Sequence, residues 1–235
     1  MYTLPEAVAA WTPELWARLP KPTQVNGFLT GVGSRKTPPL IQEAQSIFAA
    51  ILFSRGFIWR SGHAEGSDLA FELGILRHPH YAPRPGWEGE TDLFVFMPWD
   101  GFEPYPGYGR ATRQRGFTEA AGYYRAPELA TWEKAKQMAL EMHPLGERLK
   151  EDKYRGTWAL HARNMYQPLG IHLDTPSKRT YLWAPPTADG LCTGGTRSAM
   201  ALSQKLGIPT VNFAVDSHRD QLSEFLCKEA ERLRQ

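Results

Sequence analysis

Residues 26–56 read NGFLTGVGSRKTPPLIQEAQSIFAAILFSRG, and this stretch decides the fold. Gly27-Phe28-Leu29-Thr30-Gly31-Val32 is a short buried strand that ends in Gly33-Ser34-Arg35. Thr37 is a suitable N-cap, and Pro38 and Pro39 suit the first helical positions, where a missing N–H costs nothing. Leu40, Ile41, Ala44, Ile47, Phe48, Ile51 and Leu52 then recur at spacings of three and four, one apolar face of a helix. Gly56 ends it. The unit is strand, glycine turn, helix.

Downstream the unit repeats. Phe57–Ser61 is a second strand, Gly62–Gly66 a turn, and Ser67 or Asp68 caps a helix running to about Leu76. Residues 77–91 are loop. Leu93–Met97 is a continuous apolar run, as in a strand covered on both faces. Residues 98–126 lack periodicity. Pro127 opens one helix and a second covers about 151–167. Thr180–Ala184 is a fourth strand, and Cys192–Thr196 a glycine turn before a helix stopped by Gly207. Pro209–Phe213 is a fifth strand, followed by a helix over about 217–234. Upstream, residues 1–25 read as an N-terminal arm holding one short helix that starts at Thr12-Pro13. Strands alternating with helices predict an α/β fold: a Rossmann-like parallel sheet with helices on both faces and an aromatic-rich insertion at about 98–170. Residues 26–235 form a single domain on this reading.

Composition narrows the function classes. The 235 residues are 42% hydrophobic and 22% charged, which excludes general disorder. With 27 basic and 25 acidic side chains the formal charge is +2, too small for whole-protein attraction to nucleic acid. Two cysteines, Cys192 and Cys227, do not make a disulfide framework. MYTLPEAVAA lacks the basic and apolar regions of a signal peptide, and the longest apolar run, Ile47–Phe53, is far short of a bilayer span. A cytoplasmic protein with no membrane partner is expected.

Ligands of open parallel sheets bind beyond the carboxyl ends of the strands. Three turns fall there. In the first, Gly31, Gly33, Ser34 and Arg35 combine accessible amides, a hydroxyl and a guanidinium suited to phosphate. The second, Ser61–Asp68, carries Gly62, His63, Glu65, Gly66, Ser67 and Asp68; the carboxylates Glu65 and Asp68 are the candidate acid–base or nucleophilic groups. The third, Thr193, Gly194, Gly195, Thr196 and Arg197, is an amide nest at a helix start. Arg163 and Asn164, in the polar run His161–Gln167, are within reach of the same edge. Three such turns on one rim predict a cleft for a nucleotide or nucleotide-derived phosphate. No cofactor is assigned. No metal site is assigned either, because His78 and His80 have no companion ligands at a familiar spacing. Cys192 is either a reactive thiol or a small packed residue.

The set GVGSR, SGHAEGSD and TGGTRSAMALSQKLGIPTVNF resembles the SLOG superfamily of Rossmann-like nucleotide-binding domains, over about residues 26–76 and 180–215. That group includes the DprA/Smf, YpsA-like and LOG-like phosphoribohydrolase proteins. The resemblance implies a ligand cleft over these turns and a homodimer. It also implies two alternatives to simple nucleotide binding: N-glycosidic hydrolysis or transfer on nucleoside 5′-monophosphates, and DprA-like binding of single-stranded DNA. LOG enzymes place a glutamate shortly after their glycine turn; the corresponding stretch here, GGTRSAM, has no carboxylate. The aromatics of 99–124, with Arg110, Arg113, Arg115 and Arg125, admit three readings: a satellite core, a lid over a base, or a strand-stacking surface.

Overall fold

Phe28–Gly33 forms strand β1 because its side chains are wanted on both sides of the sheet. Leu29 points to one face and Phe28 and Thr30 to the other. In the computed structural model, which describes residues 2–81, 92–99, 101–102 and 122–235, β1 is flanked by parallel strands on both sides. The six strands are β1, β2 (Ile58–Ser61), β3 (Leu93–Met97), β4 (Tyr123–Arg125), β5 (Arg179–Trp183) and β6 (Thr210–Asn212). All are parallel, in the order β4-β3-β2-β1-β5-β6.

Eight α-helices lie among the described residues: α1 (Leu4–Ala9), α2 (Pro13–Ala17), α3 (Pro39–Ser54), α4 (Ser67–Leu76), α5 (Trp132–Met142), α6 (Arg155–Leu169), α7 (Thr196–Lys205) and α8 (Asp216–Arg234). The sheet's period of two divides the core. Leu29, Trp59, Leu93, Val95 and Tyr181 pack with α1–α4 and α8. Ile58, Phe94 and Phe96 pack with α5–α7. Phe48 is the hub of the first side, with ring centroids 4.7 Å from Tyr181, 5.3 Å from Phe225 and 5.7 Å from Phe213. The β1–α3–β2 crossover moves one way along the sheet with its helix on one face. The β5–α7–β6 crossover moves the other way with its helix on the opposite face, as a single crossover hand requires. The chain direction therefore reverses between β1 and β5. The fold is a Rossmann-like α/β sandwich with its topological switch point there.

Several boundaries differ from the sequence reading. Pro38, not Thr37, is the N-cap of α3; the Thr37 hydroxyl instead donates to the Ser34 carbonyl at 2.6 Å. Gly66 is the N-cap of α4, so Ser67 and Asp68 are already helical. Pro127 opens only a 3-10 turn, Ala126–Glu128, and α5 begins at Trp132. The arm holds a second helix, α1, closed by a reciprocal Thr3–Glu6 capping box. Both arm helices are built into the core against α8: Ala7, Leu15 and Leu19 are buried, and the Trp11 indole donates to the Leu226 carbonyl at 3.1 Å.

The stretch 98–170 supplies structure that periodicity did not show. Its strand β4 extends the sheet, with Tyr123 opposite Val95 and Tyr124 stacked on Phe94 at 5.6 Å. Its helices α5 and α6 cover most of one face. Tyr123 and Tyr124 thus belong to the core reading of the aromatic cluster. Tyr105, Tyr108, Phe117, Arg110, Arg113 and Arg115 lie outside the described residues. No helix among the described residues is long and apolar enough to cross a membrane.

Candidate functional site

A cleft of ≈ 370 Å³ opens at the switch point, over the carboxyl ends of β1 and β5. The β1–α3 turn contributes Gly33, Ser34, Arg35 and Lys36; the β5–α7 turn contributes Thr193, Gly194, Gly195 and Thr196. Helix α6 forms the opposite wall with Thr157, Leu160, His161, Arg163, Asn164 and Gln167, and α4 contributes Asp68.

The two glycine turns that meet here are built differently. In the first, the amides are already used. Gly33 N–H donates to Asp68 Oδ1 at 2.8 Å, and Ser34 N–H donates to the Trp183 carbonyl at 2.8 Å. Gly33 is small so that α4 can approach β1: a Cβ there would lie 2.3 Å from Ser67 Cβ. Gly31 packs beneath Phe71, and Gly66 backs onto the Ser34 carbonyl, both behind the cleft. The third turn is open. Among the described residues the amides of Gly194, Gly195 and Thr196 have no acceptor, and a Cβ on either glycine would meet nothing within 4 Å. Helix α7 has no side-chain cap, so its positive end faces the cleft. The Asn164 side chain fixes the turn by donating to the Gly195 carbonyl at 2.7 Å. Behind it, Thr193 N–H donates to Pro185 O, and a bridge pairs Pro186 with Cys192.

The floor is a buried polar knot. Asp68 Oδ1 holds the Gly33 amide, while Oδ2 accepts from Arg163 Nη1 and Gln167 Nε2, both at 3.2 Å. Asp68 and Arg163 are each 3% exposed. Burial drives the Asp68 carboxyl above its ordinary value and the Arg163 guanidinium below its own, and each charge opposes the other's shift. Gly62 makes the knot possible, because a Cβ there would sit 1.3 Å from Arg163 Nη1. Arg163 Nε has no hydrogen-bond partner among the described residues. Arg35 and Lys36 are exposed at the mouth and make no ion pair with any described residue. Asp68 is the one carboxylate in the described lining, against three cations.

Other residues singled out from the sequence are engaged elsewhere. His63 is buried; its amide and Nδ1 both meet the Glu72 carboxylate at 2.7 Å. Arg197 turns away to an ion pair with Asp189 and a hydrogen bond to Thr187. Glu65 is half-buried and outside the lining. Cys192 is fully buried, and burial pushes its thiol up to about 11, which makes it an inert packed residue.

Lys36, Thr157, Leu160, His161 and Gln167 line the cleft as well, with Val32 and Ala64. Thr157, His161, Asn164 and Gln167 recur at intervals of three and four, a helical stripe that marks one polar wall. His161 Nδ1 meets Ser198 Oγ at 2.6 Å, and its ring lies 4.2 Å from that of His143. Burial, with His143 and Arg163 beside it, pushes His161 down to about 3. Near neutral pH it is an uncharged hydrogen-bonding group.

Fold and site together define a Rossmann-like protein with a cationic, amide-lined cleft at its switch point. Comparison with models of known families, with curated proteins and with solved structures returns no match.

Proposed function

We propose that this protein binds a phosphate-bearing small molecule, a nucleotide or nucleotide-derived compound, in the switch-point cleft. The observation that carries the reading is the meeting of unbonded amides at Gly194–Thr196 with three cations, Arg35, Lys36 and Arg163, around one neutralised carboxylate. Amides at a helix N-terminus favour anions, and guanidinium forks match phosphate oxygens. The resemblance of the three turns to SLOG-type domains supports the same class of ligand.

The hydrolytic alternative has less support. An N-glycosidic mechanism needs a carboxylate free to attack or to transfer a proton. Both Asp68 oxygens are already occupied, and Glu65 is outside the cleft. The geometry therefore favours binding over bond cleavage.

Titration calorimetry with inorganic phosphate and nucleoside 5′-monophosphates tests the reading. Binding is expected, and the Arg35→Ala/Lys36→Ala double variant should weaken it about tenfold or more, the size of a lost charge-assisted contact. Absence of heat from every phosphate compound at millimolar concentration would refute the proposal.

A further inference from the structure

Among its described lining residues the cleft holds no phenylalanine, tyrosine or tryptophan, and its one ring, the His161 imidazole, is buried and bonded to Ser198. A second cavity, of ≈ 500 Å³, lies beside it along the first turns of α6. Trp99, Trp132 and Trp158 line this groove, with Pro98 beside them and Lys136 and Arg155 as its charged groups.

The two openings share helix α6 as a wall. On α6, Gly156 and Ala159 line the groove, while their chain neighbours Thr157 and Leu160 line the cleft. A second link runs through the aromatics: Arg163 Cζ lies 5.7 Å from the Phe102 ring, and Phe102 packs edge-on against Trp99 at 5.2 Å. The groove is also pre-shaped. The Trp158 indole donates to the Lys136 carbonyl at 3.0 Å, and the Lys136 ammonium sits 5.1 Å above its ring. Trp99 remains 40% exposed.

Charge selects the occupant. The described lining of the groove holds no carboxylate; its Lys136 pairs with Glu133 at 2.7 Å, while Arg155 makes no ion pair with a described residue. Aromatic cages that take quaternary ammonium ions need the opposite balance. A neutral planar ring carrying an anionic tail matches both openings. We infer that the tryptophan groove is the base subsite of the switch-point cleft: the phosphate lies against Gly194–Thr196 and Arg163, and a heteroaromatic base stacks on Trp99 and Trp158. This inference rests on the phosphate-binding reading above.

The test compares inorganic phosphate, ribose 5-phosphate and adenosine 5′-monophosphate by calorimetry on the full chain. Stacking on one ring should make the mononucleotide about 5- to 150-fold tighter than ribose 5-phosphate. Trp99→Ala, at an exposed position, and Trp158→Ala should each shrink that preference at least fivefold and leave ribose 5-phosphate affinity unchanged. Narrowing in either folded variant supports the subsite. Equal affinities for the two organic phosphates, or a preference that survives both substitutions, would overturn it while leaving the phosphate reading intact. If none of the three compounds binds, both readings fall.

Discussion

The β2–α4 and β5–α7 turns look alike in sequence, SGHAEGSD against TGGTRS, and are opposites in structure. In the β2–α4 turn the glycines make room. Gly62 gives way to a buried guanidinium, and His63 is clamped by Glu72. In the β5–α7 turn the glycines border open space, and the amides have no acceptor. A glycine-rich turn at a strand end thus signals close approach, but does not say whether protein or ligand does the approaching. The neighbour across the sheet decides, here α6 for one turn and the cleft for the other.

The contrast can be broken most forcefully at the buried knot. Arg163→Met strands the Asp68 carboxylate and should cost about 3–5 kcal/mol of stability, measured by urea denaturation. The Asp68→Asn/Arg163→Met double variant should lose less than the two single losses combined, because the residues are directly coupled. A cost below 1 kcal/mol for the single change would mean that the pair does not hold the floor together.

Gly62→Ala comes next. Its Cβ would displace the buried Arg163 guanidinium from Asp68, and about 3 kcal/mol of destabilisation is expected. An alanine variant as stable as wild type in thermal denaturation would dissolve the distinction between the turns.

The third effect is on pH dependence. His161 and His78 are held neutral by burial, at about 3 and about 4, below the ordinary 6.5. As pH falls below 6.5 the unfolded chain takes up their protons and the native one does not. Stability should therefore fall by about 1.4 kcal/mol per pH unit for each histidine, until each native pKa is reached. Denaturation curves for His161→Asn should show a shallower decline between pH 6.5 and 4; an unchanged slope would assign the loss to other groups.

The smallest stability effect belongs to the open turn. Gly195 has ordinary helical dihedrals and free space at its Cβ, so Gly195→Ala should change stability by less than about 0.5 kcal/mol. The same methyl group projects where an anion would rest, and phosphate affinity should drop about tenfold. Loss of stability without loss of affinity would reverse the roles assigned to the two turns.

The alternation of apolar strands and amphipathic helices made five strands and the parallel sandwich legible, because each element carried its own period. Strand β4 was not legible. It is three residues long, and its pairing depends on Val95 to Met97, distant in sequence. The Thr3–Glu6 capping box was in plain view, and it begins a helix so short that only docking on α8 sustains it. In the site, Arg35, Asp68 and Gly194–Thr196, each on one of the three turns, line one cleft. What sequence could not supply was partnership: that Asp68 is committed to Gly33, Arg163 and Gln167, that Glu72 claims His63, and that Asp189 takes Arg197. Such pairings are decided by tertiary distance, to which local pattern is blind.

The clip from Asn164 to the Gly195 carbonyl fastens a loop of one half of the sheet to a helix from the other. Its consequence is preorganisation. The receptor geometry is set when the chain folds, so an arriving anion meets fixed dipoles and freezes little extra backbone motion.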